Sequence, residues 1–442
     1  MINSAKSLGG PWIIPAVLQI FAALMIKGVL PRRGIMLTLQ AGLLVLLMAD
    51  VLTSQASTTA ARWMPLTALM WLATFLVAPV TLYESRRVFL LAFGQTAVLA
   101  FFYSQNAVIA CLAWGASLLP LVAKSNNPEG APAERVAELY LGFSTVALAA
   151  GFFLLQNHSS ESGLTAALVC LAVAVITRQG VLPFHSWMPE IFRVGRFAPV
   201  LAVCAPQAGA FLFAERLAPL APPWLLKWIL GLCLAGAFLA SLLSLTQQNA
   251  RRSFGWFFAS QSSLVLAALA TGGSEAVAFW FASGLGLVGF GLCLWMAELR
   301  RGSLDLRGFH GGWDQTPLLA ASFLIFGLAC VGFPGTFGFA AEETLFEAIG
   351  QVHALTSLAF VGIAALNAVN VLRMYFHLFC GAKVRLPGMG LRLREKLALL
   401  LLAGVLLLGG FRPQWLVESS LSGFHLPSHT EKTLGMVEKI LK

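Results

Sequence analysis

The residues of this chain that could do chemistry are few, and they stand where charge is costly. One stretch reads Ile176-Thr-Arg-Gln-Gly-Val-Leu-Pro-Phe-His-Ser-Trp-Met-Pro-Glu190. It sets Arg178, Gly180, Pro183, His185, Pro189 and Glu190 inside or just beyond an apolar run. A second reads Gly332-Phe-Pro-Gly-Thr-Phe-Gly-Phe-Ala-Ala-Glu-Glu-Thr-Leu345, where Pro334, Gly335 and Gly338 precede Glu342 and Glu343. Proline removes a helix hydrogen bond and crowds the preceding turn. Inside a bilayer the freed backbone groups must face protein or water. Interrupted helices at matching places in two halves of a chain point to an ion path.

An ionisable group at membrane depth costs roughly 3 kcal/mol or more, so Arg178 and Glu342 are the first ion-path candidates. Each has a plainer alternative. Arg178 can clamp backbone carbonyls at its break, and Glu342 can face amides freed at the other. His185 titrates near neutrality and suits a proton relay, or else an interfacial position. Glu343, Gln207 beside Pro206, and Gln261 after Ser260 complete the candidate ion path. Interhelical hydrogen bonding explains the glutamines equally well. Arg373 and His377 lie near a helix end, where long side chains reach water.

These residues need helices to hold them. A spanning helix takes roughly 20 apolar residues, and about fourteen such segments can be marked. The expected fold is all-α and polytopic. Residues 1–87 carry helices one to three and 88–216 a first set, helices four to eight. Residues 217–381 carry a second set, helices nine to thirteen, and 382–442 a last helix with an amphipathic surface tail. The two breaks fall on the seventh and twelfth helices. An odd spacing of five inverts the second set relative to the first.

Charge follows the same plan. Arg32/Arg33, Arg86/Arg87, Arg193/Arg196, Arg251/Arg252, Arg300/Arg301/Arg307 and Arg392/Arg394/Lys396 fall after odd-numbered helices. The opposite loops hold only Lys6, Arg62, Arg216 and Lys227 before the last helix. The positive-inside rule then places both termini on the periplasmic side of a bacterial inner membrane. The first apolar run, behind Lys6 alone and without a small-residue cleavage site, is expected to be a spanning helix and not a removed signal.

Composition agrees. Hydrophobic residues make up 58% of the 442 residues and charged ones 11%, with a net charge of +10 and a mean hydropathy of +0.81. So few charges cannot cover a soluble protein of this size. The basic residues pair between apolar runs, which excludes nucleic acid as the partner. Seven cysteines sit in apolar segments without CxxC spacing, so no metal, haem, iron–sulfur or other cofactor is expected. No catalytic, nucleotide or flavin motif points to a stand-alone enzyme.

At this point the motifs become specific. The run from Arg178 to Glu190 resembles the broken seventh helix of the large antiporter-like subunits shared by respiratory complex I, multisubunit cation/proton antiporters and related proton-conducting complexes. That family reads lysine, then Leu-Pro-(Leu/Phe)-(His/Gln)-x-Trp-Leu. Gln247-Gln-Asn-Ala-Arg-Arg-Ser-Phe-Gly-Trp-Phe-Phe-Ala-Ser-Gln261 is similar to its Gln-x-Asp-(Ile/Leu)-Lys-Arg-x-(Leu/Ile)-Ala-Tyr-Ser-x-x-Ser-Gln. Gly338-Phe-Ala-Ala-Glu342 is similar to its Gly-Phe-x-x-(Lys/Glu).

The resemblance implies buried charges strung along the membrane midplane in two inverted half-channels. Several positions depart from it. The fifth-helix glutamate falls on Gly115 and the seventh-helix lysine on Arg178. The eighth-helix histidine has no counterpart near Ala202–Pro206. The central lysine of the second half falls near Val288, and the aspartate before the basic pair is Asn249. Arginine stays protonated and cannot act as an ordinary proton carrier.

The expected partners are protons or cations, the lipid bilayer and other subunits of a membrane complex, a soluble cytoplasmic enzyme subunit among them. Compatible assemblies are respiratory or hydrogenase-type complexes, antiporters, and complexes powering inorganic-carbon uptake. A degenerate, non-conducting scaffold subunit is the alternative, and an independent small-solute transporter a third reading.

Overall fold

A computed structural model describes residues 12–53, 59–122, 130–157, 160–273, 275–350, 354–381 and 390–411. The expected amphipathic tail after Pro413 lies outside these residues. The described residues form helices joined by short turns, with one isolated β-bridge between Asn249 and Asp305. The first helices are α1 (Ile13–Met25), α2 (Val29–Thr53), α3 (Thr59–Val77), α4 (Ser85–Tyr103), α5 (Ala107–Ala116) and α6 (Leu119–Val122). Next come α7 (Ala131–Asn157), α8 (Glu161–Gln179), α9 (Trp187–Val194), α10 (Phe197–Cys204) and α11 (Ala208–Leu212), which runs into a π-turn over Phe213–Leu217. Then follow α12 (Pro223–Thr246), α13 (Ala250–Thr271), α14 (Glu275–Arg301), α15 (Pro317–Ala329), α16 (Phe337–Gly350), α17 (Ala354–Phe379) and α18 (Leu393–Phe411).

Nine described helices are long and apolar enough to cross a membrane, and four more are apolar but shorter. These are thirteen apolar segments among the described residues, beside an expected count of about fourteen. Both expected breaks are present. Gly180 ends α8 in the left-handed conformation, its N–H bonded to helix carbonyls. Cys330–Thr336 separates α15 from α16, with positive φ at Gly332 and Gly335.

Two further interruptions correct the plain helices expected there. Ser117–Leu118 divides α5 from α6, and Ala205-Pro206-Gln207 divides α10 from α11. In chain order, the break after α8 falls in the fourth apolar segment counted from α4, and the break between α15 and α16 in the fourth counted from α12.

Burial runs opposite to an ordinary soluble bundle. Large apolar side chains are exposed on α1, α2, α7, α12, α17 and α18, among them Ile14, Val45, Leu139, Trp228, Leu358 and Leu400. The central helices α13 and α14 are buried almost throughout. Apolar surface all around a bundle is what a bilayer stabilises. The chain is a multi-pass membrane protein.

Close approach at the centre depends on glycine. On α14, Gly289 lies on the Phe326 ring and Gly286 against Cys330 Sγ, and on α16 Gly338 lies against the carbonyl of Ala329. A Cβ at any of these would overlap its neighbour. Gly42 of α2 has open space around it.

The arginines gathered at one end of the bundle tie helix ends together. Arg251 Nε meets Glu298 at 2.6 Å, Arg252 and Arg193 both meet Glu190 at 2.7 Å, and Arg300 pairs with Glu395.

Gly289→Ala should lower stability by about 1–3 kcal/mol through overpacking, while Gly42→Ala leaves it unchanged or slightly raised. Thermal unfolding of the detergent-solubilised protein checks both. Equal midpoints for the two variants would contradict the packing described at α14.

Candidate functional site

Arg178 sits in the last turn of α8, only 5% exposed. Its Nη1 donates to the Trp114 carbonyl at 3.3 Å and its Nη2 to Ser117 Oγ at 2.8 Å. The guanidinium carbon lies 4.7 Å from the centre of the Trp114 ring. A cation is thus held by a helix C-terminus, a hydroxyl and an aromatic face, each of which favours positive charge. Gly115, between these contacts, faces Thr145 Cγ2, which a Cβ would meet at 3.4 Å. The sequence left a carbonyl clamp and an ion-path role open for Arg178; its hydrogen bonds reach one carbonyl and one hydroxyl, both at the α5–α6 break.

The neighbouring Gln179, which sequence reasoning passed over, turns inward. Its Oε1 accepts from Ser262 Oγ of α13 at 3.0 Å, and its buried Nε2 has no protein partner. Gln179 also packs on Gly209 of α11, where a Cβ would meet its Cγ at 2.7 Å. Two residues earlier, Gln207 occupies the third break with φ +47°, the one non-glycine positive φ among the described residues. It is fully buried, and neither side-chain amide atom has a protein partner. Such strain persists only where the surroundings enforce it, and it gathers at functional sites. Trp63 Nε1 supplies part of that enforcement by donating to the Pro206 carbonyl at 3.0 Å.

Gln261, next to Ser262 on α13, accepts from Ser283 Oγ of α14 at 3.5 Å, and its Nε2 is again unpartnered. One residue earlier, Ser260 accepts from Asn367 Nδ2 of α17 at 2.9 Å. Farther along, Ser253 Oγ donates to Asn370 Oδ1 at 3.1 Å. Three consecutive residues of α13 thus make separate buried bonds to three other helices: Ser260 with Asn367 of α17, Gln261 with Ser283 of α14, and Ser262 with Gln179 of α8. Gln207 makes no side-chain hydrogen bond to any of them. Buried polar atoms without protein partners are exceptions that need an explanation, and water is the usual one.

Glu342 is 6% exposed. Its carboxylate lies on the bare Cα of Gly332 in the break, where any side chain would collide with it. Glu343 is exposed on the outer surface of α16 and does not join these buried residues. His185 stands apart as well. It is half-buried in the turn after α8, its Nδ1 3.3 Å from the Pro183 carbonyl and its ring 5.6 Å from that of Trp256. Val288 is fully buried, and two residues on, Phe290 makes tilted or edge-to-face contacts with the rings of Phe254, Phe257 and Phe323. The middle of α14 is apolar. No group of three or more His, Cys, Asp or Glu side chains suited to a metal occurs among the described residues.

Fold and site together define a multi-pass membrane protein with buried polar residues between its helices. Residues 133–367, more than half of the chain, match the family described as NADH:quinone oxidoreductase/Mrp antiporter, TM, and the chain belongs to that family. Its sequence is 29% identical to NADH-quinone oxidoreductase subunit M of Escherichia coli K12 over 286 residues, 61% of this chain and 55% of that one. The chain spans about half the length of the curated relatives it matches. Its fold is similar to a chain of respiratory complex I from Thermus thermophilus, with TM-score 0.81 and 18% identity over 94% of this chain and 98% of that one. It is also similar to a chain of the Mrp complex from Dietzia sp. DQ12-45-1b, with TM-score 0.80 and 16% identity over 97% of each.

Ser117→Ala should destabilise the protein by about 1.5–3 kcal/mol, because a buried guanidinium N–H loses its acceptor. A matching loss in thermal midpoint, with Ser117→Thr close to wild type, is the expected result. An unchanged midpoint for Ser117→Ala would show that the hydroxyl does not hold Arg178.

Proposed function

We propose that the chain is an antiporter-like membrane subunit of a multisubunit complex that couples a partner's reaction to proton movement across the bacterial inner membrane, with both termini on the periplasmic side. The observation that carries this reading is that Gln179, Gln207 and Gln261, on three helices of the bundle interior, are all buried and all keep amide atoms without protein partners. Gln179 of α8 is also bonded to Ser262 of α13, a polar link between the first and second halves of the chain that inverted half-channels would need.

Amides and hydroxyls do not themselves bind a proton at neutral pH, but they orient water that conducts one. Glu342, the carboxylate buried against Gly332 at the second break, is able to take up and release a proton. Arg178 stays protonated. A fixed positive charge repels an approaching cation, as arginines do in pores that exclude protons. The first half is therefore closed at Arg178, and flux runs between the buried glutamines and Glu342. The reaction driven is set by the partner subunits, whether redox chemistry, cation exchange or inorganic-carbon uptake.

A non-conducting scaffold is the second reading. It is favoured by the apolar packing of Val288 and Phe290 where the family carries a central lysine. Glu342→Gln in the reconstituted complex separates the two. The conducting reading expects proton flux or coupled activity to fall at least tenfold with assembly intact. Full activity in Glu342→Gln, and again in an Arg178→Gln/Glu342→Gln double variant, would leave the scaffold.

A further inference from the structure

Between the ends of α9, α12, α13 and α14, on the arginine-bearing face, lies a cavity of about 490 Å³. Its walls include Arg193, Gln248, Asn249, Arg252, Asp305 and Arg307, and Leu304 is its one apolar lining residue. Two carboxylates serve its three guanidinium groups. Glu190 meets Arg193 Nε and Arg252 Nη2, each at 2.7 Å. Asp305 stands 3.5 Å from Arg307 Nε, which donates to Gln248 Oε1 at 2.6 Å. Three positive charges against two negative leave one in excess. Arg252 Nε is buried there without a partner.

The depth of the cavity is set by its residues. Thr246 is the last residue of α12, Asn249 caps α13, and Ser303 lies just past the end of α14. Helix ends of spanning segments lie at the level of lipid headgroups. The outer face of α12 leads to the same place. Trp228, Leu232, Leu239 and Leu242 are exposed at helical spacing, and the stripe ends at exposed Thr246 on the rim. An apolar track on a spanning helix thus opens into a cationic, hydrogen-bonding pocket.

We propose that this pocket seats the phosphate of an anionic phospholipid whose acyl chains lie along α12. One excess positive charge matches the single negative charge of a phosphodiester. Guanidinium groups bind phosphate oxygens in a fixed, bidentate geometry, and basic pockets at this depth recognise anionic headgroups. The stripe favours a lipid over a soluble anion, because it holds chains that free phosphate lacks.

The test uses the full-length protein in its purified, delipidated complex. Thermal stabilisation is titrated with phosphatidylglycerol, phosphatidylcholine or inorganic phosphate, and native mass spectrometry reads the lipid retained on this subunit. Phosphatidylglycerol should be retained and should stabilise, with phosphatidylcholine much weaker. Arg307→Gln, a change in an exposed side chain, should weaken the phosphatidylglycerol effect about fivefold, and Arg252→Gln/Arg307→Gln about twenty-five-fold. Equal binding of the two lipids overturns the proposal, as does binding that Arg307→Gln leaves unchanged. Protection by inorganic phosphate at least equal to that by lipid also overturns it, because it would make the pocket a soluble-anion site.

Discussion

A broken helix inside a bilayer leaves carbonyl oxygens that neither water nor lipid can satisfy, and the fold depends on how these are met. At several of the freed ends a long donor from another part of the chain reaches in, while at Cys330–Thr336 local backbone N–H groups of Val331 and Phe333 take the Leu328 carbonyl. Arg178 takes the Trp114 carbonyl at the end of α5, and Trp187 Nε1 takes Thr177 at the end of α8. Trp63 Nε1 takes Pro206 at the α10–α11 break, and Arg216 takes Ser104 beyond α4. Arg32 takes both Ile26 and Tyr83 at the turns after α1 and α3. Indole and guanidinium suit the task because they donate without needing to accept, and their flat faces pack like apolar groups. The arginine excess on one face is therefore partly topological and partly a set of caps.

Caps of this kind explain how much the sequence disclosed. The breaks at Gly180 and Cys330–Thr336 were legible because proline and positive-φ glycines stand together there. The break at Gln207 was not. Its local sign is a single Pro206, and a single proline is a poor signal: Pro65 lies inside α3 without ending it. What separates the two prolines is Trp63, which meets the carbonyl of Pro206 from far away in sequence. Gln179 was missed for a related reason. It stands beside an arginine that drew attention, and its partner Ser262 is distant in the chain. Gln207 and Gln261 were visible as polar residues in apolar runs, but that their amide atoms are buried without protein partners is a property of packing, which no local pattern encodes. Likewise α5–α6 and α10–α11 read as continuous apolar runs, so the sequence marked each as one plain helix.

The polar residues of α13 and the apolar middle of α14 are two solutions to one constraint. A helix buried on all sides can carry polar groups only where neighbours or water satisfy them. On α13, Ser253, Ser260, Gln261 and Ser262 each find a partner on another helix. On α14, Ser283 is the last such group before Gly286, Val288, Gly289 and Phe290 close against α15. The glycines let Phe326 and Cys330 approach the α14 backbone, and that approach leaves no room for a long charged side chain at the same level.

Arg178 and Gly115 are best understood as one change. A buried lysine carries a compact charge that only an anion or several waters can offset. Were Gly115 the lone change, a lysine at 178 would lose its anionic partner and either release its proton or face an uncompensated charge. Arginine escapes both outcomes. Its spread charge rests on the Trp114 face while its N–H groups find a carbonyl and the Ser117 hydroxyl. The contacts are neutral, so no carboxylate is needed to hold the charge. At this position the chain therefore carries a buried guanidinium supported by an aromatic face, a carbonyl and a hydroxyl alone.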